Sequence, residues 1–201
     1  NHKFRLVIDC RALNKAIDKA SCDLARQREI IGALRINAGR TVILSDVREA
    51  FYRVRLRTGL VLELRMGSDH GKPYTIHSGR MCFGTSFGPG VLNQCLGPML
   101  EATIEKLKLD DTFCATFVDD ITMNGEPKPT VRLCSCALKS MECAAFEVAM
   151  KKFQCMCCAS AKDEFSAELS AHSLLDKPFV DEAEVLGAKM AYPTLEGPSG
   201  P

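Results

Sequence analysis

Residues 113–123 read FCATFVDDITM. Two apolar runs, 113–118 and 121–123, meet at Asp119-Asp120, the pattern of a β-hairpin with acids at or beside its tip. A single acid after a strand is most often a turn former, and an adjacent pair is commonly just a hairpin turn. A third acid changes the reading. Upstream, Thr41-Val42-Ile43-Leu44-Ser45-Asp46 is β-branched and apolar, a buried strand with a carboxylate at its end. Unpaired carboxylates at the margin of a core are costly. If two strands bring them together, their repulsion raises at least one pKa unless a cation intervenes. Magnesium resolves that conflict, because it prefers hard oxygen ligands and accepts substrate phosphates in its remaining positions. Two such ions, about 4 Å apart, would polarise an attacking hydroxyl and steady a leaving pyrophosphate.

The rest of the chain supplies a frame for these acids. Residues 4–8 are a short apolar run that reads as a strand, and residues 23–35 carry Leu24, Ile30, Ile31 and Leu34 at near-helical spacing. Ala50 to Leu56 reads as a short turn or helix, and 61–66 with 74–77 as two strands around the Gly67–Pro73 loop. A long helix is expected over 89–107, with Val91, Leu92, Cys95, Leu96, Met99, Leu100 and Ile104 on one face. Pro98 falls inside it and is expected to kink it. Residues 130–150 form an amphipathic pattern with Leu133, Ala137, Leu138, Met141, Ala145 and Val148 as its stripe, and Val185 to Met190 reads as a last strand. The stretch 159–182 is polar and loosely patterned, and 193–201 is a Pro/Gly-rich linker or tail. The order strand, helix, hairpin, helix, strand over 41–190 predicts an α+β fold, a ferredoxin-like antiparallel sheet backed by helices.

The chain has 201 residues, 46% apolar and 25% charged, which suits one large domain or two intimate subdomains. No apolar run is long enough to span a membrane and no signal peptide is visible, so no membrane partner is expected. The net charge of +1 hides an asymmetry: residues 1–60 carry 13 Lys/Arg against 6 Asp/Glu, a balance of +7 that leaves −6 for the remainder. A basic first third suits a surface that meets phosphates. Eleven scattered cysteines do not form a secreted disulfide framework and point to an intracellular compartment, cytoplasmic or nuclear. Cys134-Ser-Cys136 and Cys155-Met-Cys157-Cys158 lack the spacing of a zinc ribbon and, in apolar helical context, read as buried or incidental thiols.

Taken in order, these segments resemble the retroelement reverse transcriptases, with the LTR-retrotransposon and retrovirus-like branch fitting best. The segment from Arg5 through Asn14-Lys15 resembles the fingers motif, and Leu44-Ser45-Asp46 through Val54 resembles motif A. Met81-Cys82-Phe83-Gly84 with Gly88-Pro89 resembles motif B, Phe117-Val118-Asp119-Asp120 resembles motif C, and Val185-Leu186-Gly187 resembles the primer grip. The resemblance covers residues 4–190 with the motifs in family order.

It implies a fingers-and-palm polymerase. Residues 1–40 would be an N-terminally truncated fingers portion, 41–192 the palm with a fingers insertion at about 57–80, and 193–201 a linker within a larger Pol polyprotein. Asp46, Asp119 and Asp120 would be the catalytic acids, holding two Mg2+ ions together with the Val47 carbonyl. Arg5 would clamp the triphosphate of the incoming dNTP. Phe51 would lie under its sugar and exclude a 2′-hydroxyl, while Phe83 and Gly84 would border the pocket. Lys152, or its neighbour Lys151, would match the basic residue that protonates the leaving pyrophosphate. Leu186 and Gly187 would grip the primer, and an RNA or DNA template with its primer would be the partner.

Departures from the family pattern are Phe117 where Tyr is usual, Cys82 where Pro is usual, Pro98 within its helix, and an upstream triphosphate-binding lysine for which Lys3 lies too close to Arg5. They leave room for a catalytically inactive, nucleic-acid-binding remnant. An RNA-dependent RNA polymerase would share the acids but usually has a polar residue where Phe51 stands. A zinc module at 134–158 would require stoichiometric zinc.

Overall fold

β-Branched residues at Thr41, Val42 and Ile43 favour an extended chain, and residues 41–46 are a central strand of the structure, a computed structural model that describes residues 8–17, 27–34, 39–59, 61–67, 74–174 and 179–192. In chain order the elements are α1 (Arg11–Ala16), α2 (Gln27–Ala33), β1 (Thr41–Asp46), α3 (Ala50–Arg53), β2 (Leu62–Met66), β3 (Tyr74–Ser78) and α4 (Gly88–Leu107). There follow β4 (Phe113–Phe117), β5 (Asp120–Gly125), α5 (Pro127–Cys143), β6 (Gln154–Cys157), α6 (Lys162–Ala171), β7 (Glu182–Val185) and β8 (Ala188–Ala191). The chain divides into two units, Asn1–Leu24 with Glu49–Cys95, and Ala25–Arg48 with Leu96–Pro201. Residues 4–7 of the expected 4–8 strand, with Lys3 and Arg5, lie outside the described residues, as do the ends of the expected 23–35 helix and the 193–201 tail; Ile8 is in no strand.

The second unit is built on a four-stranded antiparallel sheet in the order β4-β5-β1-β6. With α4 between β1 and β4, and α5 between β5 and β6, this is the ferredoxin-like split β-α-β arrangement. Strand side chains alternate between faces, and the register shows what each face does. Ile43 pairs with Met123 on one side and Cys155 on the other, and all three are shut off from solvent. α5 covers this face, packing on β1 and β5, and α6 packs on α5. On the opposite face Val42, Met156 and Ala183 form a second core with Leu44, Val180, Met190 and Tyr192 around it. Asp46, two residues beyond Leu44, continues this second face past the edge of its apolar cover.

Three expectations are corrected. The 130–150 helix ends at Cys143, because Ala145 takes a left-handed φ of 62°. The Ala145 N–H then reaches Glu142 O at 2.9 Å and the Phe146 N–H reaches Met141 O at 2.8 Å, a Schellman closure that satisfies the terminal carbonyls. Ala145 and Val148 are therefore off the helix, and Val148 instead bridges Val47. Residues 154–157 are strand rather than helical context: Cys155 and Met156 point to opposite faces, each into a core. The last strand is a hairpin, β7 and β8, with Leu186-Gly187 as its two-residue turn. Both turn residues have positive φ, 51° and 81°, as a twist-matched hairpin turn requires. The loosely patterned 159–182 stretch contains α6. Pro98 lies inside α4, which runs unbroken from Gly88 to Leu107; of the expected apolar face, Leu92, Leu96 and Leu100 are buried and Cys95 is exposed.

In the first unit β2 and β3 pair antiparallel as expected. α3 follows Glu49, which takes a left-handed conformation before the helix starts. No helix among the described residues is long and apolar enough to cross a membrane.

Candidate active site

The end of β1 and the β4–β5 hairpin bring Asp46, Asp119 and Asp120 together. Asp46 and Asp120 are direct cross-strand partners, so their side chains share one face, an arrangement that like charges make unfavourable by themselves. Asp119 sits in the two-residue hairpin loop beside Val118. Its carbonyl accepts the Val47 N–H at 2.8 Å, which fixes the loop against the end of β1. One carboxylate oxygen from each acid lies within 4.8 Å of the others. Val118 has φ 59°, a strained conformation for a β-branched residue.

Electrostatics follow from this crowding. Burial pushes the Asp119 carboxyl above its ordinary value; its own backbone N–H pulls it back, the Asp46 charge adds to the rise, and Lys152 opposes it. Asp120 is also raised, by burial first and then by Asp119 and Asp46. The local counter-charge is Lys152, whose Nζ donates to Asp46 Oδ2 at 2.5 Å. That bond, ahead of burial, which opposes it, raises the lysine's pKa. Of the two adjacent lysines, the structure brings Lys152 to the acids.

Lys152 is delivered by a short ladder that the sequence reading missed. The Arg48 N–H donates to Glu147 O and the Ala149 N–H to Asp46 O, both at 2.7 Å, around the Val47–Val148 bridge. Arg48 and Glu147 are also ion-paired at 2.8 Å. The segment looked helical, so nothing in its periodicity announced the ladder. Among the described residues, three carboxylates against one ammonium leave an excess of negative charge on an all-oxygen donor set, which fits a hard divalent cation better than zinc. Asp46, Asp119 and Asp120 are the residues that would hold it.

In the first unit, Phe51 is buried and meets Phe83 edge-to-face, with ring centroids 5.5 Å apart at 86°. Phe83 itself is 64% exposed. Gly88 makes room for Phe51, since a Cβ there would lie 3.0 Å from the ring and 2.7 Å from Thr85 Oγ1. Gly84 has φ 96°, and a Cβ on it would crowd Ile8 O at 3.3 Å. Leu186 and Gly187 form the β7–β8 turn, where Gln27 Nε2 donates to Leu186 O at 3.1 Å. Arg5 lies outside the described residues. Cys134 and Cys155 are buried, and burial raises the Cys134 thiol; all ten described cysteines are free.

A ferredoxin-like sheet with three acids converging at the end of β1 and the β4–β5 turn defines a nucleotidyl-transfer palm. The family model for reverse transcriptase (RNA-dependent DNA polymerase) matches residues 1–190, and the chain belongs to that family. It is thus an RNA-directed DNA polymerase, a nucleotidyltransferase that works on a nucleic-acid template and primer with dNTPs. No curated protein matches the chain.

Proposed function

We propose that this chain is the polymerase of an LTR-retrotransposon or retrovirus-like element, carried in a larger Pol polyprotein and using two Mg2+ ions at Asp46, Asp119, Asp120 and the Val47 carbonyl. The observation that supports the metal-dependent part of the reading is the meeting of one carboxylate oxygen from each of three acids within 4.8 Å, with two of the acids raised in pKa and so poorly accommodated without added positive charge; the branch rests on the resemblance of the fingers motif and of Phe83-Gly84. When bound, the ions neutralise that charge and supply Lewis acidity to the attacking 3′-hydroxyl and the leaving pyrophosphate. The chain's own groups do the rest. Lys152 Nζ, kept protonated by Asp46, is the proton donor for the leaving pyrophosphate. Phe51, wedged by Gly88, offers a rigid ring against the 2′ position of the sugar, so a ribonucleotide is excluded by collision. Phe83 and Gly84 border that pocket. Arg5 takes the triphosphate, and the Leu186-Gly187 turn contacts the primer.

Primer extension on an RNA template with Mg2+ tests the assignment, comparing wild type with Asp119→Asn and with Asp163→Asn, an exposed position on α6. Extension by wild type and Asp163→Asn and none by Asp119→Asn is expected; equal incorporation by all three would sink it.

A further inference from the structure

α1 presents Cys10 at its N-terminal boundary and Asn14 four residues on, along one helical face, and both reach the loop that carries Phe83 and Gly84. Asn14 Nδ2 donates to Gly84 O at 2.9 Å. The Ser86 N–H donates to Asn14 Oδ1 at 2.8 Å. Cys10 Sγ lies 3.7 Å from Phe83 O and donates weakly to it. One amide therefore ties both sides of a loop some 70 residues away in sequence. Only a side chain with one donor arm and one acceptor arm can do this: Asp cannot donate, and an apolar residue can do neither.

Met81, Cys82 and Thr85 anchor the loop by burial, with Thr85 Oγ1 donating to Cys82 O at 3.2 Å, and the Asn14 tie holds the exposed residues between and beside them. The loop's glycine sits at positive φ, and Phe83 is too exposed for core packing to hold it in place. Yet the Phe83 ring is the edge-to-face neighbour of Phe51, and such ring pairs are sensitive to centroid position.

We propose that Asn14 is a positioning residue for sugar discrimination, fixing the 83–86 loop so that Phe83 holds Phe51 in the place where it excludes a 2′-hydroxyl. This rests on the reading of Phe51 as the sugar-facing ring. The lever is geometric, because a pocket that rejects a substituent by collision loses discrimination when its wall can recede by a fraction of an ångström. Asn14 acts through the loop and touches no substrate in this account.

The test uses the full chain with a dideoxy-terminated primer–template, so that no turnover is needed. Equilibrium affinities for dATP and ATP opposite the matching template base are measured for wild type, Asn14→Ala, Asn14→Asp and Phe51→Ala, with hydrogen exchange at the Ser86 amide. The expected result is a fall of about tenfold in the dATP-over-ATP preference for both Asn14 variants, the scale of one lost neutral hydrogen bond, and a larger fall for Phe51→Ala. Ser86 exchange should quicken in Asn14→Ala and stay slow in Asn14→Asp, whose carboxylate still accepts that N–H. A general folding defect would instead speed exchange in both. If Phe51→Ala loses the preference while both Asn14 variants keep it, the positioning role is wrong. If Phe51→Ala keeps it, the sugar-facing reading beneath the proposal falls.

Discussion

Replacing Asp119 by Asn should make the metal-free protein more stable while removing its response to metal. One carboxylate oxygen from each of the three acids lies within 4.8 Å of the others. Two unit charges at that spacing repel by about 3 kcal/mol at an effective dielectric of about 20, and by about 1 kcal/mol in bulk water. Asp120 is exposed and Asp119 half-buried, so the lower part of that range applies, and loss of the attraction to Lys152 reduces it further. A net gain below about 1 kcal/mol remains, at most roughly 2–4 °C in Tm for a domain of this size. The pH dependence has a definite sign. Asp119 and Asp120 are raised in the folded state, so the folded protein binds their protons more tightly than the unfolded chain does. Their cost is absent below the ordinary carboxylate range, grows as pH rises from that range through the raised folded values, and is fully present above them. Differential scanning fluorimetry in EDTA and in Mg2+, from about pH 4 to about pH 8, reads all of this. Wild type in EDTA should lose stability across that window more than Asp119→Asn does, and Mg2+ should restore it in wild type alone near neutrality. Equal Mg2+ stabilisation of both proteins, or a metal-free Asp119→Asn less stable than wild type, would refute the reasoning.

Lys152→Met removes the cation that competes at Asp46. Because Lys152 is well exposed, the stability cost should be below about 1 kcal/mol, while Mg2+ titration should show tighter binding and single-turnover extension should slow. Gly88→Ala forces a Cβ to within 3.0 Å of the Phe51 ring and 2.7 Å of Thr85 Oγ1; thermal unfolding should show a loss of about 1–3 kcal/mol from overpacking, with reduced preference for deoxynucleotides. Val118→Gly relieves a β-branched residue at φ 59° and should change stability by no more than about 1 kcal/mol either way, since strain relief opposes added unfolded-state entropy; extension should nonetheless slow, because the hairpin turn that carries Asp119 is loosened.

How much of this was legible depended on whether the deciding force was local. β1 was readable in full and the β4–β5 hairpin to within two residues, β5 running on to Gly125, because β-branched runs ending in acids leave few alternatives, and the three acids follow from them directly. The ends of the helices were not. α4, α5 and α6 close with Lys108, Ala145 and Ser173 at positive φ, positions where glycine is the usual signal. At each, the bond from the following N–H back to the helix carries the turn: Leu109 to Ile104, Phe146 to Met141, Leu174 to Leu169. Without a glycine to mark the stop, the apolar period of α5 read straight through to Val148. β6 was hidden for a different reason. As a strand buried on both faces it shows no polar alternation, and its cysteines looked like a helical stripe. Asn14 lies inside the fingers motif, but its role is invisible in the sequence because its partners are 70 and 72 residues away.

Apart from Glu49, which precedes α3, the described non-glycine residues at positive φ fall into a few kinds of place. Lys108, Ala145 and Ser173 pay for positive φ with helix-closing hydrogen bonds, and Leu186 belongs to a turn that demands it. Val118 closes no helix, and as a β-branched residue it is the worst suited to its conformation. It stands beside Asp119 and next to a like-charged cross-strand pair, Asp46 and Asp120, in a sheet whose neighbouring rungs obey every packing rule, with Ile43, Met123 and Cys155 fully buried. Strain, repulsion and desolvation therefore fall on one turn and one strand end, where among the described residues the Asp119 backbone N–H and Lys152 offset part of the charge. A sheet core this regular can hold such a cluster in place, and a bound cation would turn the repulsion into attraction and so offset the desolvation cost. The same geometry that makes three close carboxylates unfavourable by themselves would suit them to receive positive charge.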